Sequence, residues 1–434
     1  MIPEAPISTA VDAAKAPAGR WRLLLSAGLL TLLLLSITLG SWLWPQDPSV
    51  QWLSSVNQGP SGSRLAHWVD HSQAPVWHAM GSLPEDSIAV VEANTERVAL
   101  QWRPVAGAVF YRISRRPLAD SALDVAVASG WMSLSTVPEP RFVDRLQLSN
   151  EALEYRVQAL TADSDLLSEH RVDLRPQLAI SLFEARLNGL VGLEETLAPG
   201  QRLPLPAHPL GTDALGRDLL ARLLQGGQSS LLVGITAPLL CMIFGAFWGG
   251  VAALSGGRID DWMMRTADFV IALPFLLFMI LFRIAMGVGP GESGLLPMII
   301  AMVLLGWPGP ARLVRGQVLS LKTQPFVEAA RLSGARNFWL LRVHLLPNVL
   351  PLILVALSFA IPQAIFTEAF LSFIGMGVVA PTASWGSLCN EGVKTMLTEP
   401  AQLLWPALMI SLTVLAFNLL GDSLRDRMGL SDRE

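Results

Sequence analysis

The residue types that carry enzymatic chemistry are sparse in this 434-residue chain and poorly spaced for it. Its lysines are Lys15, Lys322 and Lys394, and none follows a glycine. A phosphate-cradling loop needs glycine backbone N–H groups facing the phosphates and a lysine directly after them. ATP hydrolysis by that route is therefore excluded. Cys241 and Cys389 are too few for a disulfide framework or a four-ligand zinc site. His67, His71 and His78 cluster around Asp70. On a helix His67 and His71 would share a face and could ligate a metal. In a linker rich in proline and tryptophan they are solvated histidines, and that reading, with no metal, is the one we adopt. Ser229 or Ser230 with His344 would suggest a nucleophile and its base, but the topology derived below separates them across a membrane. No HExxH or GxSxG pattern occurs, and no catalytic residue is assigned.

Three other stretches combine polar residues with glycine and proline punctuation. His208–Ile235 contains Gly211-Thr212-Asp213 and Gly216-Arg217-Asp218, a loop and polar cap before an amphipathic helix, Leu219 to Leu224, that leads into an apolar span. In Gln324–Pro351, Pro325 suits a first helical turn and Gly334 a left-handed stop. The helix of about nine residues between them places Phe326, Ala329 and Ala330 against a partner and Glu328 and Arg331 outward. So short a helix is unstable alone, so docking in a partner's groove is its natural role; lying on lipid is the competing one. Gly377–Gly392, with Ser384-Trp385-Gly386, reads as an outer loop rich in turn residues.

The elements that must position these stretches are membrane spans. Hydrophobic residues make up 52% of the chain and charged ones only 15%, against about 25% in soluble domains. With a net charge of −4 and no long basic block, soluble, disordered and nucleic-acid-binding classes are excluded. Leu23–Leu43 makes a helix of roughly 31 Å, long enough to span, with Trp21, Trp42 and Trp44 as interfacial belts. Its end, Ser41-Trp42-Leu43-Trp44-Pro45, is a poor cleavage site, so it reads as an anchor rather than a signal peptide. Five further runs, Ser230–Leu254, Phe269–Met286, Leu295–Ala311, Val349–Phe366 and Leu403–Leu420, bring the expected number of spans to six. Within one span Gly245 and Gly249 form a GxxxG step, expected to pack closely on another span in the chain or across a dimer. Glu368 and Arg283 are expected near the outer ends of their spans, in reach of water. Positive residues of short loops (Arg258, Arg265, Arg312, Arg315 and others) fall on the side of both termini, whereas loop 287–294 has none and 367–402 only Lys394. Both termini are thus expected in the cytoplasm and 45–207 outside.

That outer segment carries 13 arginines and 19 acidic residues. In 87–175 the alternation of Val98, Leu100 and Trp102, then Val109, Tyr111 and Ile113, then Leu153, Tyr155, Val157 and Ala159 predicts half-buried strands. Their order resembles a fibronectin type III sandwich. The resemblance implies Trp102 and Tyr111 in the core and Tyr155 near a tyrosine corner.

Glu328-Ala329-Ala330, Gly334 and Leu346-Pro347 resemble the EAA loop of bacterial ABC importer permeases. Gly211-Thr212-Asp213, Gly216-Arg217-Asp218, Ser384-Trp385-Gly386 and the stretch LTVLAFNLLGDSLRD resemble the C-type subunit of the dipeptide, oligopeptide and nickel branch. The likeness is strong over 208–428, weak over Trp21–Leu43 and lacking over 45–207. It implies an all-α polytopic permease fold with an inserted all-β sandwich. It also implies a second homologous permease in a heterodimer, two ATP-binding subunits that hold ATP and Mg, an extracytoplasmic solute-binding protein, and the inner membrane as the location. No cofactor is expected on this chain. The domain plan is a cytoplasmic tail (1–20), first span (21–44), linker (45–86), sandwich (87–175), linker with the GTDxxGRD segment (176–228), permease core (229–424) with the coupling loop (324–347), and a cytoplasmic tail (425–434). Peptides, nickel chelates, opines and other small solutes fit equally as cargo. Two rival classes are weaker. A membrane enzyme lacks its motifs, and a receptor or adhesion anchor needs neither six spans nor a docking helix.

Overall fold

The computed structural model describes residues 9–83, 87–118, 130–146, 148, 150–195, 197, 201–287 and 293–428. The ends of the two expected tails (1–8 and 429–434) and most of the loop 287–294 lie outside the described residues. One unit runs to Ser49 and resumes at Asp218; Val50–Arg217 is the other. The first helix, α1, is Thr9–Leu43, so helix already occupies the second half of the stretch read as a tail. Its spanning part is Leu23–Leu43.

The unit Val50–Arg217 contains the strands β1 (Arg64–Val69), β2 (Ala89–Ala93), β3 (Val98–Gln101), β4 (Phe110–Pro117), β5 (Met132–Val137), β6 (Arg141–Asp144), β7 (Leu153–Leu160), β8 (Leu166–Leu174), β9 (Ala179–Ser181) and β10 (Arg202–Leu205), with the short helix α2 (Leu182–Leu187) after β9. One sheet has the order β2-β3-β6 and another β5-β4-β7-β8. Side chains of both sheets make one core of Val98, Leu100, Trp102, Tyr111, Ile113, Tyr155 and Val157, with Phe142 and Val172 packed on it. Trp102 and Tyr111 meet edge to face at 5.3 Å. Val109 departs from the expected pattern: it precedes β4 and is exposed. The Tyr155 hydroxyl donates to the Asp144 carboxylate at 2.7 Å, not to an upstream backbone group as a tyrosine corner requires. Arg115 holds the same carboxylate at 2.6 Å. Burial, the first cause, and the Asp144 carboxylate push the Tyr155 hydroxyl well above its ordinary pKa.

The two segments read as linkers are not linkers. β1 pairs antiparallel with β10 and parallel with β9, and Trp52, Ala66, Ile180, Ala185, Val191, Leu203 and Leu205 form a separate core beneath them. His67 therefore sits on a strand, so the shared helical face imagined for His67 and His71 does not exist. His71 pairs instead with Glu96 at 2.8 Å.

The membrane unit continues with α3 (Leu219–Ser255), α4 (Gly257–Ile271), α5 (Phe275–Ala285), α6 (Leu295–Gly306), α7 (Pro308–Leu321), α8 (Pro325–Leu332), α9 (Asn337–Leu340), α10 (Leu346–Phe373), α11 (Trp385–Lys394) and α12 (Ala401–Arg427). Among the described residues five stretches are long and apolar enough to cross a membrane, or six if α4 and α5 count as one. The expected span Phe269–Met286 takes in the end of α4 and the whole of α5, a pair bent by 84°. Pro274 lies at the break; it has no N–H to donate and disfavours helix at the residue before it. Trp307-Pro308-Gly309-Pro310 does not end the fourth span, which continues to Leu321, because Pro308 begins α7, where a missing N–H costs nothing. The amphipathic piece Leu219–Leu224 and the following span are one 37-residue helix. The last part of the expected outer loop is α11.

Candidate functional site

The segment expected to couple begins where Lys322 ends α7. Pro325 opens α8, and the helix ends in a Schellman turn: Ala335 N–H donates to Ala330 O at 3.1 Å and Gly334 N–H to Arg331 O at 2.9 Å. Gly334 has φ +86° and open space where a Cβ would stand. The expected contact face is corrected by the structure. Val327, fully buried, is the anchor, packed with Val314, Val318, Leu340, Leu341 and Leu345. Phe326 and Ala329 are exposed beside Glu328 and Arg331, and Ala330 is half-buried. Val327, with half-buried Ala330 packed on the same cluster, ties α8 to the unit, and the rest of the helix surface is exposed. A concavity of about 720 Å³ opens beside it, lined by Phe326, Ala330, Gly334, Arg336, Trp339 and His344. His344 lies edge to face on Trp339 at 4.9 Å. The sequence pattern does not bring Trp339 and His344 to α8, because the left-handed turn at Gly334 ends the 3.6-residue period before α9 begins. Leu346 half-buries against the Val327 cluster, and exposed Pro347 lies in the first turn of α10.

Ser384, Trp385 and Gly386 hold a buried polar knot. Ser384 caps α11 in a capping box. Trp385 is fully buried, its indole N–H donating to Leu223 O at 3.0 Å and its backbone N–H to Ser230 Oγ at 3.1 Å. Ser230 and Ser372 each donate to Glu368 at 2.7 Å. Glu368 is fully buried, so it does not reach water as its position in the span suggested. A Cβ at Gly386 would stand 2.3 Å from Ala369 O. These contacts, with the two-pronged Arg222–Glu391 ion pair at 2.5 and 3.0 Å, fasten α3, α10 and α11 together. Arg283 donates to the carbonyls of Gly375 and Gly377 at 3.1 Å.

The GTDxxGRD segment divides between the units. In the unit Val50–Arg217, Asp213 accepts from the N–H groups of Leu215 and Arg217 and pairs with the Arg217 guanidinium at 2.7 Å. Thr212 accepts from Gln58 N–H at 2.8 Å. Gly211 and Gly216 take positive φ, and a Cβ at Gly216 would strike Trp52 O. Asp218 belongs to the membrane unit: it caps α3 and accepts from the Trp44 indole at 3.1 Å. Gly245 and Gly249 face α7 in the same unit, with Pro310 and Ala311 against their backbones.

Residues 242–429 match the family model for the inner membrane component of binding-protein-dependent transport systems. A dipeptide transport system permease protein of Bacillus subtilis is 46% identical over 230 residues, which cover 52% of this chain and 70% of that protein. The chain belongs to this permease family. An oligopeptide transport system permease protein of the same organism is 43% identical, covering 52% of this chain and 72% of that one. A nickel transport system permease protein of Escherichia coli is 40% identical, covering 52% and 79%. The permease is accordingly a multi-pass inner-membrane subunit of an ABC importer of the C type, working with ATPase and binding-protein components.

Proposed function

We propose that this permease forms half of a heterodimeric pathway for short peptides or a similar small solute, with its termini in the cytoplasm and residues 45–207 outside. A binding protein delivers the solute, and two partner ATPases bind ATP and Mg; the permease itself hydrolyses nothing. Glu328, Ala329, Ala330, Gly334, Leu346 and Pro347 carry the coupling contact. The observation that supports this most is α8 itself. It is a two-turn helix anchored by Val327 and half-buried Ala330 and closed by a glycine turn, with its remaining surface and the adjoining concavity uncovered. The strand order of the two outer sheets supports reading 87–175 as a fibronectin type III-like insert. The test is reconstitution with the companion permease, ATPases and binding protein in liposomes. Uptake of a labelled dipeptide that depends on ATP supports the reading. Uptake of a nickel chelate instead moves the cargo to that class, and transport without any ATPase overturns the coupling assignment.

A further inference from the structure

The outer unit holds a cleft of about 780 Å³, lined by residues outside the spanning helices. Its size is that of a small-molecule site. Three segments build it: the turn around Ser54, the β2–β3 turn with Glu96, and α2 with Phe183 and Glu184; Arg145 and Leu53 also line it. Its walls are fastened together. Thr95 N–H donates to Gln177 O at 2.9 Å, Gln177 N–H to Ala93 O at 3.0 Å, and Ala179 N–H to Thr95 Oγ1 at 2.9 Å. The cleft is thus preformed, and a ligand need not order it.

Its lining has two signs of charge and an apolar ledge. Glu184 is 4% exposed, and one of its oxygens accepts from both the N–H and the hydroxyl of Ser54 at 3.1 Å. Glu96 is half-buried, with His71 on one oxygen. Arg145 is exposed, and Phe183 and Leu53 leave most of their apolar surface in water, at 73% and 63% exposure. We propose that this cleft binds a small zwitterionic solute with an apolar arm, the chemistry of a short neutral peptide: the ammonium at Glu184 and Glu96, the carboxylate toward Arg145, the arm on Phe183 and Leu53. Burial, and to a lesser degree the charge of Glu96, push the Glu184 carboxyl above its ordinary value. A bound ammonium offsets both effects, as any opposite charge does for a desolvated carboxylate. The outer unit then acts as a receptor carried by the permease itself. This binding requires neither the ATPases nor the separate binding protein, so it stands or falls apart from the transport reading.

The test is titration calorimetry on the full-length protein in detergent, with Leu-Leu, N-acetyl-Leu-Leu, Leu-Leu-amide and calcium chloride as probes. Saturable binding of Leu-Leu is expected, weakened about tenfold or more by N-acetylation. Glu96→Gln, which keeps a hydrogen-bonding side chain near His71, should weaken Leu-Leu similarly. Arg145→Ala should weaken Leu-Leu but leave the amide unchanged. No saturable heat at millimolar Leu-Leu overturns the proposal. So does equal binding of the N-acetyl form by the wild-type protein, or heat from calcium alone, which would make the carboxylates a cation site.

Discussion

At Gly334 the backbone is left-handed, and nothing stands within 4 Å of where a Cβ would be. A side chain there is therefore strained but not blocked. Asp tolerates this region better than most residues, so Gly334→Asp should cost only about 1 kcal/mol of local stability. It would also set a negative charge into the open surface between exposed Arg331 and Arg336 that a partner must approach. The expected outcome is normal membrane abundance, weakened ATPase co-purification and lost uptake, all measured on the same membranes. Glu328 is exposed, and an exposed ion pair contributes about 0–1 kcal/mol. Glu328→Ala should therefore leave most uptake intact. If the Gly334 variant vanishes from the membrane, the glycine is only a helix terminator.

Between α3 and α7 the packing is backbone to backbone. A Cβ at Gly249 would stand 2.0 Å from Ala311 O and one at Gly245 2.7 Å from Trp307 O. Gly249→Leu has to force the two helices apart and should cost 1–3 kcal/mol or more, of the order seen for overpacking (~1–3 kcal/mol). The loss should appear as aggregation on size-exclusion chromatography of the extracted protein. Gly309→Ala, where a Cβ meets open space, should run normally and so serves as the control. In the sandwich, Tyr155→Phe removes a buried hydrogen bond to a charged group, worth roughly 1.5–3 kcal/mol. Asp144 keeps Arg115 and the Leu146 N–H, so the fold should persist with a lower midpoint of thermal unfolding, followed by scanning calorimetry of the full-length protein. An unchanged midpoint would mean that the hydroxyl contributes nothing net.

For the whole molecule, the separation of Val50–Arg217 from the membrane unit means that the two have independent cores. Deleting 87–175 removes β2 to β8 but keeps β1, β9 and β10, whose own core includes Trp52, Ile180 and Leu203. Membrane abundance and ATPase co-purification of the deletion should match the intact chain, with any deficit falling on solute delivery. Collapse of expression with ends rejoined at matched spacing would instead make the sandwich a folding support for the permease.

The apolar runs, the short helix between Pro325 and Gly334 and the strands at Leu100, Ile113 and Val157 were legible in the sequence because each depends on local periodicity, capping residues or backbone permissiveness. Tertiary structure alone decided what depends on distant partners. The sheet that replaces the expected linkers joins Ala66 to Ile180 and Leu203, residues that lie on either side of the whole sandwich in sequence, so no local pattern announces their pairing. The role of Val327 rather than Phe326 as the anchor depends on which side of α8 the Leu340–Leu345 turn packs. The burial of Glu368 depends on Ser230, 138 residues away in the chain. An apolar pattern states that a residue needs a partner surface, but only the folded chain determines which surface, because contacts far apart in sequence leave no periodic trace in it.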